Sequence, residues 1–321
     1  MTRYPIIAAC VLTCSALSAE AQDTPNIQER PPQDLLTVDS GSIKIGIDKA
    51  LGASITWLSS SGYQGNMVNI HDPGRLIQQS YYAGHRLDRQ TEGQGSHWAP
   101  WAWNPIQGGG IRSWARVTEF KKLDPETLYA ETIPKLWDMP DEEADAVMKQ
   151  WTRLEPGIDN AVRVRCQLIC ERPLNDRWGP AALRPQELPA LYFTRNFSQF
   201  KSYLGGGQWR DEARTDRRPW SQAEPPLNAM ACLNSQGQGI CIYSPTAGER
   251  WNFGPHGAGN SNDPLDGTCS HIAPIAKVEL GPQTTLAYRY WLLTGTEKEI
   301  TASLDTLIKN YSADTIELSN P

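Results

Sequence analysis

The sequence predicts an all-β fold, a large antiparallel β-sandwich with a short C-terminal helix. Three observations carry that expectation. Apolar and polar residues alternate in several separate runs, which is the period of half-buried strands. The 26 glycines and 24 prolines supply turn residues along the whole chain. One segment near the end has helical spacing instead. A chain of 321 residues can form a single sandwich of this kind and bury a sizeable core unaided.

Taken from the N-terminus, Met1-Thr2-Arg3 gives a positive start and Ile6 to Leu17 a short apolar run. Ala19-Glu20-Ala21 supplies a small-x-small cleavage pattern, so residues 1–21 read as a signal peptide cut near Ala21. That run is too short to span a bilayer, and no later stretch reads as a membrane span. The expected location is secreted or periplasmic. Residues 22–36 are polar and Pro-rich enough to read as a flexible lead-in, and 37–321 as one sandwich domain.

Ile43, Ile45 and Ile47 alternate with Lys44, Gly46 and Asp48. A turn at Lys49 to Gly52 follows, and Ile55 and Trp57 resume the pattern, which together predict a hairpin. Similar alternation recurs in Val162 to Leu168, Ile240 to Tyr243 and Leu286 to Leu292. Ala144 to Leu154 fits helix or strand. Thr296 and Glu299 form a capping box ahead of the stripe Ile300, Leu304, Leu307 and Ile308, which predicts the helix. Four long segments between these runs read as loops: Asn66 to His85, His97 to Gly110, Gly205 to Asn228 and Glu249 to His271.

Five cysteines remain after the leader. Cys166 and Cys170 on one strand would be roughly 13 Å apart, too far to bond. Cys232 and Cys241 flank a turn symmetrically, so they are expected either to bridge a hairpin or to serve as small buried hydrophobes.

The opening hairpin, the stretch Asn66-Met67-Val68-Asn69-Ile70-His71-Asp72-Pro73-Gly74-Arg75 and the late Leu286-Ala287-Tyr288-Arg289-Tyr290 run resemble galactose mutarotase-type β-supersandwich proteins. The resemblance implies a broad concave sheet face that binds a sugar, with His and carboxylate residues doing acid–base work. It implies carbohydrate as the substrate class and leaves the reaction open.

Within the loops, Trp98, Trp101 and Trp103, with Trp114 nearby, crowd into a segment that reads as too Pro- and Gly-rich for a regular strand. Flat indoles can stack on the apolar face of a pyranose and keep an N–H free; the alternative is that they fill core. With them, Asn104, Gln107, Trp209 and His271 are expected to bind substrate. Asp72 either caps a turn or joins His71 and Arg75 in gripping substrate, with Tyr82 or His71 exchanging protons. His97 and His256 are the acid–base candidates among five histidines that all fall in or beside the loops, rather than in alternating strands. Glu187 borders the apolar run Leu188 to Phe193. There it is either a partly desolvated proton donor or a solvated loop carboxylate. Asp211, Glu212, Asp263 and Asp266 are further carboxylates. Arg210, Arg214, Arg217 and Arg218 suggest an anion site, but Asp211, Glu212 and Asp216 among them favour a salt-bridged loop.

The formal charge of −6 disfavours nucleic acid as partner. No phosphate-binding loop, serine-nucleophile elbow, zinc-protease motif or dinucleotide fingerprint occurs, and no metal or other cofactor is expected. The expected function is a secreted carbohydrate-active enzyme that cleaves glycosidic bonds, a hydrolase with Glu187 as donor and the Trp98/Trp101/Trp103 loop holding sugar rings. One alternative is a polysaccharide lyase using Tyr82 or His97 as base and Arg75 to neutralise a uronate. The other is a glycan-binding module with no catalytic residue. Oligomeric state is not legible.

Overall fold

A computed structural model describes residues 32–214 and 220–319. The expected signal peptide and most of the expected lead-in lie outside the described residues, as do Asp216, Arg217 and Arg218. Strand structure begins at Leu35, slightly earlier than the sequence suggests.

Two large antiparallel sheets face each other. The first has eleven strands, with the central path Leu35–Asp39, Ile43–Asp48, Ser54–Ser60, Ile77–Ser80, Ala182–Thr194, Cys269–Ala273, Trp251–His256 and Ser221–Ala223. The second has ten strands and is centred on Ala146–Leu154, Ala161–Cys170 and Thr285–Thr296. The predicted hairpin is present, with Ile45 opposite Leu58. Within the ambiguous Ala144 to Leu154 stretch, Ala146–Leu154 is a strand in which alternate residues are buried as far as Thr152, so the period of two wins there.

Ile45, Ile77, Leu191, Phe193, Phe253 and Ile272 from the first sheet meet Met148, Val164, Tyr288, Tyr290 and Leu292 from the second in one buried cluster. The helix Glu297–Tyr311 covers the other face of the second sheet, with Ile300, Leu304 and Leu307 packed near Ala229, Cys241 and Trp291. Its capping box is formed. The Thr296 hydroxyl accepts from the Glu299 amide, and the Glu299 carboxylate accepts from the Thr296 amide at 2.8 Å. This satisfies two helix-start donors that would otherwise be orphaned.

The hairpin register corrects the possible Cys232–Cys241 bridge. Cys232 stands opposite Ile240 and Cys241 opposite Ala231, so the two thiols point to opposite faces of the sheet. All five described cysteines are free and buried.

The longest strand, Ala182–Thr194, is the spine of the first sheet. One edge pairs with Cys269–Ala273 and Ile275–Leu280, the other with Ile77–Ser80. Glu187 stands opposite Ser80 and Ala190 opposite Gln78, so three steps on one strand match two on the other. The extra residue is a β-bulge at Leu188–Pro189. A proline fits there because it has no N–H to offer the ladder. The bulge resets the alternation. Leu188, Leu191 and Phe193 enter the core, whereas Glu187 and Tyr192, five residues apart, share the outer face.

Two buried arginines hold the loops that rim this face. Arg89 pairs with Asp138 at 2.8 Å and Glu142 at 2.9 Å, and lies over the Trp178 ring. Arg172 pairs with Asp176 at 2.6 Å and lies over the Trp103 ring.

Deleting Pro189 should therefore be far worse than replacing an ordinary strand residue. The regular strand that results would turn Leu191 and Phe193 outward and Tyr192 into the core. Circular dichroism and urea titration should show loss of cooperative unfolding. A deletion variant with a wild-type urea midpoint would contradict the parity argument.

Candidate functional site

The site grows from the outer face of the spine strand. Gln186 clamps the chain after Ile77–Ser80: its side-chain oxygen accepts from the Tyr82 amide at 2.8 Å, and its side-chain nitrogen donates to the Tyr82 carbonyl at 2.7 Å. That fixes Tyr82 beside Glu187. Burial, with the Glu187 charge added, raises the Tyr82 pKa far above its ordinary value, so the phenol stays protonated and acts as a hydrogen-bond donor.

Tyr192 pairs directly with His271 on the neighbouring strand. The His271 ring is fully buried in a three-ring cluster: its centroid lies 4.3 Å from both Tyr192 and Trp220, and those two rings meet edge to face at 6.2 Å. On the neighbouring strand the residue paired with it is Gly254, at φ +139°. His271 Nδ1 lies 2.9 Å from the Leu191 carbonyl oxygen. A carbonyl only accepts, so Nδ1 is the protonated nitrogen and Nε2 keeps its lone pair in the neutral ring. Nε2 makes no hydrogen bond and faces Glu187 Oε1 at 3.8 Å.

The Asn69–Leu76 loop adds a charged pair. Asp72 Oδ1 accepts from the Gly74 amide at 2.9 Å and the Arg75 amide at 3.1 Å, and Oδ2 binds the Arg75 guanidinium. Asp72 is thus both the turn cap and the partner of Arg75. Burial opposes the charge on Arg75, but Asp72 and then Cys269 outweigh it and raise its pKa. Burial, followed by the Arg75 charge, lowers the pKa of His256 from 6.5. His256 is therefore a neutral acceptor at physiological pH. Its ring lies 6.0 Å from Trp220, and its backbone pairs with Cys269.

An aromatic platform adjoins these groups. His97, Trp98, Trp101 and Trp137 meet edge to face, with centroids 5.0 to 5.6 Å apart in successive contacts through Trp98. Trp101 touches Tyr82 at 6.4 Å, and the Arg86 guanidinium lies over its ring. Trp137 lies against the turn that carries Arg75: a Cβ on Gly74 would come within 2.5 Å of its ring. The platform thus runs between Tyr82 and the Arg75 turn.

The structure brings together Glu187, Tyr82, His271, His256 and Arg75, and sets Trp98, Trp101 and exposed His97 beside them. Trp103 lies elsewhere: it is buried, donates its indole N–H to the Ala144 carbonyl at 2.9 Å and belongs to the core. Asn104 donates to the Tyr81 carbonyl and accepts from the Trp101 indole. Buried Gln107 accepts from the Gln79 amide and donates to the Ala53 carbonyl. Trp209 packs on Tyr203 and donates to Thr301 of the helix, on the second sheet. Asp211 and Glu212 pair with Lys201 and Arg210, and Asp263 and Asp266 cap local turns.

Several readings of the loops need correction. Ile77–Ser80, Gln208–Asp211, Ser221–Ala223 and Trp251–His256, with His256 at its end, are strands inside segments expected to be loops. Trp101–Trp103 is a short strand paired with Ala83–Leu87, although its surroundings are Pro- and Gly-rich. His271 lies in the buried strand Cys269–Ala273, not in a loop. Tyr192, Trp220 and Trp137 carry no sequence signal that marks them for the site.

Among the described residues, no group of three or more His, Cys, Asp or Glu side chains is placed to hold a metal ion. No described helix is long and apolar enough to cross a membrane.

No family model and no curated protein matches the chain. Solved structures do. An Escherichia coli K12 protein proposed to be an aldose 1-epimerase matches with a TM-score of 0.49 and 10% identity, over 82% of this chain and 99% of its own. A C. elegans GalM/aldose epimerase homologue matches with a TM-score of 0.44 and 9% identity, over 82% and 99%. A 4-alpha-glucanotransferase from Thermococcus litoralis matches with a TM-score of 0.43 and 10% identity, over 83% and 39%. The likeness is a loose one of fold, to galactose mutarotase-like sandwiches.

The lowered His256 pKa fixes the sign of a pH effect. In the unfolded chain His256 takes up its proton near 6.5, before the folded chain does. Its contribution to stability is therefore fully present above pH 6.5 and is lost as pH falls from there towards the folded-state value. Urea midpoints at pH 7.5 and 5.5 should fall further in wild type than in His256→Asn. Equal falls would contradict the burial of a neutral imidazole.

Proposed function

We propose that this protein is a carbohydrate-active enzyme that hydrolyses glycosidic bonds, with Glu187 as the proton donor to the leaving sugar. The observation that carries this reading is the position of Glu187: its Oε1 lies 3.8 Å from Nε2 of the buried His271, on the outer face that it shares with Tyr192 and beside Tyr82. A carboxyl group fixed next to an imidazole and two phenols is placed for general acid work on a bound sugar.

Asp72 is engaged by its turn and by Arg75, so the familiar two-carboxylate arrangement is not the one supported. The neutral His256, 6.0 Å from the Trp220 ring, is the group suited to take a proton from the attacking water. Tyr82 and Tyr192, kept as phenols, donate hydrogen bonds to sugar hydroxyls. The same protonation argues against elimination with Tyr82 as base. The platform of Trp98 and Trp101 offers indole surface for further sugar rings along the chain. With the leader that the sequence predicts, the enzyme would act outside the cytoplasm.

Incubation of the mature protein with a panel of neutral and uronic polysaccharides, followed by mass spectrometry, tests the reading. Fragments each heavier by one water are expected. Unsaturated fragments would move the reaction to elimination, and binding without any fragments would leave only a glycan-binding module. Glu187→Gln should lower kcat by about 10²- to 10⁴-fold, the usual worth of a positioned general acid, with little change in ligand affinity. A Glu187→Gln enzyme of wild-type kcat would refute the assignment.

A further inference from the structure

The dipeptide Trp137–Asp138 ties together the segments that carry all three tryptophans of the platform. The Trp137 amide donates to the Asn104 carbonyl at 3.0 Å, and the Asn104 side chain accepts the Trp101 indole N–H at 3.2 Å. The Asp138 carbonyl accepts from the Gly95 amide at 3.1 Å, and the Gly95 carbonyl accepts in turn from the Trp98 amide at 2.9 Å. The rings of Trp98 and Trp137 then meet at 5.6 Å.

The side chain of Asp138 fixes the same turn a second time. It is fully buried, and its Oδ2 accepts from Gln94 Nε2 at 2.6 Å and from Arg89 Nη2 at 2.8 Å. Gln94 also accepts from the Arg89 amide at 2.7 Å, so the turn that leads to Trp98 closes on one buried carboxylate. None of these hydrogen bonds reaches Glu187, Tyr82 or His271. Charge-assisted hydrogen bonds are short, and away from water they are stronger, which holds the turn in one geometry. The three indoles stay only half-buried and keep surface to offer a ligand. Ring contacts run from Tyr82 to Trp101, Trp98 and Trp137, so a sugar ring held at Tyr82 leaves Trp98 to the rings that follow.

We infer that Asp138 is a positioning residue: by fixing the turn before Trp98 and the backbone of Trp137, it sets the platform so that a sugar chain gains affinity from each ring laid along it. The substrate class this implies is an oligosaccharide of several units rather than a mono- or disaccharide. The inference rests on the reading of the platform as a sugar surface but not on the reaction performed beside it.

Binding measured without turnover tests it. The mature protein is titrated by calorimetry against two ladders, cello-oligosaccharides and oligogalacturonates, each as dimer and hexamer. For at least one ladder the hexamer should bind about tenfold or more tightly than the dimer, the scale of one further aromatic contact. Gln94→Ala, which cuts the tie without stranding a charge, should bring that ratio close to one by weakening only the hexamer. Asp138→Asn should do the same, with Glu142 still paired to Arg89. A variant that is merely less stable would weaken both ligands alike and keep the ratio. Trp98→Ala should also remove the ratio, and adding Gln94→Ala to it should weaken the hexamer no further. A ratio near one, or no binding, for both ladders in wild type would overturn the inference. So would a ratio that survives in Gln94→Ala, or a Gln94→Ala effect that persists without the Trp98 indole. A ratio lost in these variants of a protein that cleaves nothing would refute the hydrolase and leave the positioning role of Asp138 standing.

Discussion

The His271 imidazole has one hydrogen bond it cannot vary. Buried against two aromatic rings, it gives its Nδ1 proton to the Leu191 carbonyl, and this turns Nε2 towards Glu187. The rest of the outer face is organised around that arrangement. Tyr192 and Trp220 each pack on the imidazole at 4.3 Å and on each other at 6.2 Å. Gln186 ties the backbone of Tyr82 to the same strand that carries Glu187. A carboxyl group fixed beside an imidazole and a phenol is placed to donate a proton, which glycoside cleavage requires.

The bulge at Leu188–Pro189 makes the arrangement geometrically possible. In an unbroken strand, residues five apart point to opposite sides, so Glu187 and Tyr192 would be divided between outer face and core. One extra residue brings them to one face while Leu188, Leu191 and Phe193 remain in the core. The loops that rim the face are held differently. Arg89 and Arg172 are buried with their carboxylates under aromatic rings, where losing one partner would strand a charge.

Local signals in the sequence were read well. The Ile43–Ile47 hairpin and the Thr296–Glu299 capping box depend on residues a few positions apart, and both are present as expected. Glu187 was legible as a carboxylate bordering an apolar run. Its partner was not: His271 sits on a five-residue strand inside a Gly- and Asp-rich stretch, too short for alternation to stand out. Tyr192 was hidden by the bulge, because counting alternation from Glu187 places it on the wrong face. The three tryptophans of residues 98–103 look alike in sequence. Only the tertiary structure separates Trp103, whose N–H is taken by a core carbonyl, from Trp98 and Trp101 on the platform. Trp137 and Trp220 reach the site from distant segments, and such convergence leaves no mark in the chain order.

The central claim is that His271 is fixed by its Nδ1–H on the Leu191 carbonyl and so turns Nε2 to Glu187. Neutron diffraction on crystals of the deuterated protein tests it most directly. The account predicts deuterium on His271 Nδ1, directed at the Leu191 carbonyl. A bare Nδ1 would contradict it and remove the pairing of His271 with Glu187 on which the site is built.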